Sequence, residues 1–229
     1  MMIADSGEDM KSYMIITGGR VDLYTLQGMM DRHLDSSRVI AVDRGIETCN
    51  KIGIVPDVIV GDFDSASSLT VGVYRKMARK QNSITFVDLD VHKDLTDTHA
   101  ALRYAMDDGA TDIYISGATG TRMDHTMANI GLLKECVDRG VNAYIEDDHN
   151  VITMINGSAS ISRIDGYEYV SIIPYGGCVR SVTLTGFEYT VSDYDFQIGD
   201  SRGVSNRITD ENARIEMNEG YMIINYSRD

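Results

Sequence analysis

The pattern of apolar residues changes character near residue 150, and this constrains the fold more than any other feature. From about 12 to 148, short β-rich runs occur at Tyr13–Thr17, Val39–Val42, Val58–Val60, Ile84–Val87, Asp112–Ser116 and Ala143–Ile145. Helical periodicity fills 20–34, 67–80, 97–108 and 124–139 between them. Apolar strands separated by helices predict a parallel sheet covered on both faces. Gly109 and Gly140 stand where helices commonly end on a left-handed residue. The expectation is a doubly wound α/β domain with a mostly parallel sheet over 1–150.

After residue 150 the helical period disappears. Ile152–Ile155, Ala159–Ile161, Tyr169–Pro174, Val179–Phe187, Ala213–Met217 and Tyr221–Tyr226 read as strands punctuated by glycines. The run "MNEGYMIINY" reads as a terminal hairpin. Residues 151–229 are therefore expected to form a small antiparallel β-sandwich.

Charge narrows the range of partners. The chain holds 35 acidic and 21 basic residues, a net charge of −14, and its longest basic run is two residues. Binding to nucleic acid or to an anionic membrane needs a basic surface, so neither is expected. Cys49, Cys136 and Cys178 lack metal-ligand spacing and are expected to be reduced thiols. The acidic first ten residues do not read as a signal peptide, and no apolar run is long enough to span a bilayer, so a cytoplasmic protein is expected.

In open parallel sheets ligands bind beyond the carboxyl ends of the strands. The unusual residues of this chain follow its strands. Asp62 and Asp64, in Gly61-Asp62-Phe63-Asp64-Ser65, come directly after the third strand. In an extended chain they point the same way, and paired hard-oxygen donors suit Mg²⁺. Lys93, Asp94, Thr96 and Asp97 repeat the theme before a helix, where Asp94 or Thr96 can also serve as a simple N-cap. After the fifth strand, Gly117 and Gly120 precede Arg122, a planar donor suited to phosphate, and Asp124, His125 and Asn129 follow on a helix start. Gly-Lys-Ser/Thr, GxGxxG and GxSxG are all missing. The combination points to metal-assisted phosphate chemistry.

The order "VDRG … GIVPDVIVGDFDS … KDLTD … SGATGTRMDHTMAN … GVSN" resembles the thiamine pyrophosphokinase (thiamine diphosphokinase) family over nearly the whole chain. The resemblance implies a Rossmann-like ATP-binding domain, a β-sandwich thiamine-binding domain, and a homodimer with thiamine near the subunit interface. It also implies transfer of the pyrophosphoryl group of ATP to the hydroxyl of thiamine with Mg²⁺, giving thiamine diphosphate and AMP. Carried over by position, Asp62, Asp64 and Asp97 match the metal-site carboxylates. Asp43, Lys93, Thr96, Arg122, Asp124, His125 and Asn129 match the ATP site, and Ser205 and Asn206 the thiamine contact. Asp97, Asp94 and Arg122 are the catalytic candidates, with the choice of general base between the two carboxylates left open. Arg44, His99 and Arg207 stand where the family often carries Gly, Glu and Glu. Two other readings are a pyrophosphokinase for another alcohol, such as a hydroxymethylpterin, and a non-catalytic nucleotide-binding protein.

Overall fold

The computed structural model describes residues 10–81 and 83–229; the leader-free reading of the first residues falls largely on 1–9, outside the described residues. The described chain forms two compact units, 10–148 and 149–229.

The first unit alternates strand and helix. Its strands are β1 (Ser12–Ile16), β2 (Ser37–Val42), β3 (Val58–Gly61), β4 (Thr85–Asp88), β5 (Asp112–Ser116) and β6 (Asn142–Glu146). Its helices are α1 (Leu23–His33), α2 (Gly45–Ile52), α3 (Ser68–Gln81), α4 (Asp97–Asp107) and α5 (Met123–Asp138), with one 3-10 turn at Leu34–Ser36. All pairings among the six strands are parallel, in the order β4-β3-β2-β1-β5-β6. The chain first winds outward from β1 to β4, then returns to β5 on the other side of β1, as a doubly wound sheet does.

Burial explains this architecture. Every residue of β1 and β3 is buried, so these strands need cover on both faces. Met14, Ile16, Val39, Ala41 and Ile59 share one core with Leu26 and Met29 of α1, Ile46 and Cys49 of α2, and Tyr74 of α3. Helix α4 packs against β1, β2 and β3 through a unit whose buried residues include Ala101, Leu102 and Ala105. Asp22 sets the start of α1 by accepting from Thr25 N–H at 2.8 Å. Gly109 and Gly140 follow α4 and α5 in the left-handed conformation, as expected. Helix α2 had not been expected; it is only eight residues long, and its first residue, Gly45, reads as loop.

The second unit contains β7 (Asn150–Ile155), β8 (Ala159–Ile161), β9 (Tyr169–Thr185), β10 (Val191–Phe196), β11 (Ala213–Glu216) and β12 (Glu219–Ser227). All its ladders are antiparallel, in the order β7-β12-β9-β11-β8, with β10 also on β9. The 17-residue β9 belongs to two sheets: its first half pairs with β12, its second with β10 and β11. A strand that passes between sheets in this way is how sandwich corners are made.

The expected terminal hairpin is absent. β11 and β12 run one after the other along β9, from Arg214 opposite Thr185 to Ser227 opposite Tyr169. They are one kinked partner strand. Gly220 marks a bulge instead of a turn: its φ is +112°, and an added Cβ would lie 2.9 Å from the Cys178 carbonyl oxygen. Glycine inside a strand pattern signals a bulge or a close backbone approach as readily as a reversal. Strand β10 was also unexpected. Register shifts interrupt it, and Asp193 adopts φ +48°. No helix among the described residues is long and apolar enough to cross a membrane.

Candidate functional site: a carboxylate cluster at the carboxyl edge

The strands of the first unit end nearly level. Asp43 N–H bonds to Val60 C=O at 2.8 Å and Leu89 N–H to Gly61 C=O at 3.0 Å, which locks the turns after β2, β3 and β4 side by side. Gly45 brings the start of α2 equally close to β1, since a Cβ there would sit 2.0 Å from the Ile16 carbonyl oxygen. At the β1/β5 switch point, Gly19 N–H bonds to Gly117 C=O at 3.1 Å, and a Cβ on Gly19 would lie 2.1 Å from that oxygen.

This edge gathers carboxylates. Asp43, Asp62 and Asp64 each bring one oxygen to within 4.8 Å of the others. Asp62 and Asp64 do not converge by strand alternation, as the extended reading had it. Phe63 between them takes φ +61°, and Asp64 N–H donates to Asp62 Oδ1 at 3.3 Å in a tight turn. The Phe63 ring, edge-on to Phe86 and beneath Arg75, holds that turn. Asp43 is also left-handed, at φ +46°. Such non-glycine residues cost about 1–3 kcal/mol each and cluster at functional sites.

Lys93 sits inside the cluster, with Nζ 2.8 Å from Asp62 Oδ2 and 3.0 Å from Asp97 Oδ1. The contact to Asp97 is an ion pair whose alignment falls short of a hydrogen bond, so Asp97 Oδ1 is buried without a hydrogen-bond partner. Asp43 Oδ1 is in the same condition, while Asp43 Oδ2 accepts from Ser65 Oγ. The hydrogen bond from Lys93 lowers the carboxyl pKa of Asp62. Burial raises that of Asp97 against the pull of Lys93, and the charges of Asp62 and Asp43 add to the rise. Burial opposes the charge on Lys93, but its pairing with the Asp62 and Asp97 carboxylates outweighs that and raises its pKa.

The donor set fits Mg²⁺. Octahedral Mg²⁺ at about 2.1 Å places its ligand oxygens about 3 to 4 Å apart, and three hard oxygens within 4.8 Å of one another need little contraction to match. The compact trio includes Asp43, whereas Asp97 lies across the Lys93 ammonium from Asp62.

The other candidates fall elsewhere. Asp94 is exposed. Thr96 caps α4, accepting from His99 N–H at 3.2 Å, so the simple capping role is filled by Thr96. Arg122 and Asp124 pair with each other at 2.6 Å in solvent, with His125 Nε2 4.0 Å from Asp124. Asn129 Nδ2 donates to Ala118 C=O at 2.7 Å and ties α5 to the glycine turn after β5. In the second unit Ser205 is exposed at φ +55°. Asn206 is 1% exposed: its Oδ1 accepts from Tyr189 and Arg207 N–H, and its Nδ2 donates to Tyr189 C=O. That side chain is spent on the loop, leaving Ser205 as the exposed member of the pair. Tyr189 borders an open groove of about 340 Å³ with Leu184, Glu188, Phe196 and Arg202. His99 bonds Glu135 at 2.6 Å, and Arg207 pairs with Glu168 and Glu188. Sequence reasoning had missed Ser65 as the partner of Asp43; only the β2–β3 register brings the two together.

Three clustered carboxylates, one of them joined through Lys93 to a fourth, at the carboxyl edge of a doubly wound sheet define an α/β protein with an acidic site whose oxygen donors suit a divalent cation. Comparison with known proteins gives the particular family. Residues 31–145 match the family model "Thiamin pyrophosphokinase, catalytic domain", and residues 158–222 match "Thiamin pyrophosphokinase, vitamin B1 binding domain". The thiamine pyrophosphokinase of Bacillus subtilis (strain 168) is 31% identical over 96% of this chain and 100% of its own length. A crystal structure of thiamine pyrophosphokinase from Bacillus subtilis superposes with a TM-score of 0.83 at 28% identity, covering 96% of this chain and 99% of that one. Yeast thiamin pyrophosphokinase, 16% identical, shares the fold with a TM-score of 0.78 over 96% of this chain and 87% of its own. This chain belongs to the thiamine pyrophosphokinase family.

Proposed function

We propose that this protein transfers the pyrophosphoryl group of ATP to the hydroxyl of thiamine, forming thiamine diphosphate and AMP, as a cytoplasmic homodimer. The observation that carries the proposal is the cluster of Asp43, Asp62 and Asp64 with Lys93 and Asp97 at the sheet's carboxyl edge. Carboxylates so close, with one lysine among them, repel one another, and they are of use where a divalent cation and a polyphosphate are brought together.

Asp43, Asp62 and Asp64 would hold Mg²⁺, with Asp97 available on the far side of Lys93. When bound, the ion neutralises phosphate charge and draws electron density from the phosphorus under attack. The protein's own part is positioning. Lys93 keeps Asp62 ionised and fixes its orientation. Asp97, whose proton affinity is raised, is suited to accept the proton of the attacking hydroxyl. Arg122 is exposed and its partner Asp124 lies on the same turn, so it can exchange that carboxylate for a phosphate oxygen. The 1–150 segment is assigned ATP and Mg²⁺, and 151–229 thiamine. There Ser205 Oγ is the contact, and Asn206 is a positioning residue that holds the Tyr189 backbone.

Incubation with ATP, Mg²⁺ and thiamine tests this, with AMP and thiamine diphosphate as the expected products. AMP formed only with another alcohol acceptor would transfer the activity to a different pyrophosphokinase. Saturable nucleotide binding without AMP would leave a non-catalytic nucleotide-binding protein.

A further inference from the structure

We infer that Arg44 is a polyphosphate-binding residue of this chain, directed at the phosphate oxygens of the nucleotide. This rests on the nucleotide-dependent reading above and extends it to a position where the family often carries Gly.

Asp43 and Arg44 are adjacent, but their side chains diverge. Asp43 turns toward β3, where it accepts from Ser65 and joins Asp62 and Asp64. Arg44 turns toward β1, where Nη2 donates to the Gly18 carbonyl oxygen at 2.9 Å. The guanidinium is thus fixed beside the glycine turn after β1, at the crevice where strand order reverses and where doubly wound sheets take their ligands.

The other cations along this edge are already matched to carboxylates. Lys93 is shared by Asp62 and Asp97, Arg122 pairs with Asp124, and Arg20 pairs with Asp148. Among the described residues, Arg44 forms no ion pair. It is exposed, and its one side-chain hydrogen bond goes to a neutral carbonyl. In a chain of net charge −14, a guanidinium at the most acidic edge without a carboxylate partner is an open anion site. The bond to Gly18 fixes its plane and leaves its remaining N–H groups for oxygens. A planar fork of this kind suits two oxygens of a phosphate. A triphosphate with one divalent cation is still an anion, and the carboxylates here repel it, so the cluster creates the need that Arg44 meets.

Two substitutions separate charge from packing. Arg44→Gln keeps an N–H donor for Gly18 but removes the charge; Arg44→Lys keeps the charge. Binding of ATP, AMP and inorganic tripolyphosphate is measured with Mg²⁺ by calorimetry, alongside melting temperature. Arg44→Gln is expected to weaken ATP and tripolyphosphate on the order of tenfold, as for a partly exposed charged hydrogen bond, with AMP binding and melting unchanged. Arg44→Lys is expected to retain most of the affinity. Unchanged ATP affinity in Arg44→Gln, or equal losses for AMP and ATP, overturns the assignment while leaving the proposed activity standing. A wild-type protein that binds neither ATP nor tripolyphosphate overturns both.

Discussion

The two ends of the parallel sheet treat charge in opposite ways. At the amino end, Lys11, Tyr13 and Arg38 surround a single carboxylate, Asp108. Lys11 Nζ and Arg38 Nη1 each lie 2.8 Å from Asp108 Oδ2, and the Tyr13 hydroxyl donates to the same oxygen. Hydrogen bonds from Lys11, then Tyr13, hold the Asp108 pKa down to about 2. At the carboxyl end, Asp43, Asp62 and Asp64 cluster, Lys93 pairs with Asp62 and Asp97 alone, and two buried oxygens, on Asp43 and Asp97, accept no hydrogen bond. The first arrangement is complete without a ligand. The second has more carboxylate than the protein itself can neutralise. Charge placed for folding is matched internally; charge placed for binding is left for the ligand to match.

The largest expected effect tests this contrast directly. Asp64 is exposed, and its carboxylate has no cation partner among the described residues, so Asp64→Asn removes a metal donor and relieves repulsion. Turnover should fall on the order of 10³-fold, the loss of several kcal/mol of charge stabilisation, while the melting temperature holds or rises. Asp62→Asn should show a similar kinetic loss. Normal turnover with normal Mg²⁺ dependence in either variant would remove these residues from the site. A lower melting temperature in Asp64→Asn would erase the distinction between the two ends.

Acid should move the two ends in opposite directions. The folded pKa of Asp108 is depressed, so its contribution to stability is present above the ordinary value of 3.8 and lost as pH falls toward about 2. The folded pKa of Asp97 is raised, so its ionisation disfavours the fold at neutral pH, and protonation relieves this as pH falls toward 3.8. Urea unfolding of metal-free protein should therefore show Asp97→Asn more stable than wild type at neutral pH, with the gap closing on acidification. Asp108→Asn should be less stable by about 1 kcal/mol after discounting for its partial exposure. That deficit should persist through pH 5 and shrink only below 3.8. Curves moving in the same direction would mean that Lys93 already neutralises its cluster.

What the sequence made legible follows burial. β1, β2, β3 and β5 could be read from their apolar runs because parallel strands are covered on both faces. Helix α2 escaped because Ile46, Cys49 and Ile52 repeat for barely two turns. β10 escaped because its pattern is broken by bulges and the acidic Asp193 and Asp195. The hairpin was misread because Gly220 signals a bulge and a turn with the same letter. At the site, residue types pointed to the carboxylates, but grouping depended on register. Asp43 comes to Asp62 and Asp64 through the β2–β3 alignment and two left-handed residues, neither visible in the order of letters. Nor does the sequence reveal that Asn206 is buried and spent, while Ser205 beside it is exposed.

The smallest expected effect sharpens what a complete network means. Tyr13 is fully buried, and its phenol is held far above its ordinary pKa by burial and then by the hydrogen bond to Asp108. Its hydroxyl also accepts from Arg38 Nη1 at 3.1 Å. Tyr13→Phe deletes the hydroxyl but leaves Arg38 and Lys11 on Asp108, so no charge is stranded. The cost should be about 0.5–1.5 kcal/mol, that of a satisfied hydrogen bond, with turnover unchanged. Combining Tyr13→Phe with Asp108→Asn should cost less than the sum of the two, because both changes remove the same hydrogen bond. Strict additivity in urea unfolding would show instead that Asp108 is held by its two cations alone, with Tyr13 only packing beside them.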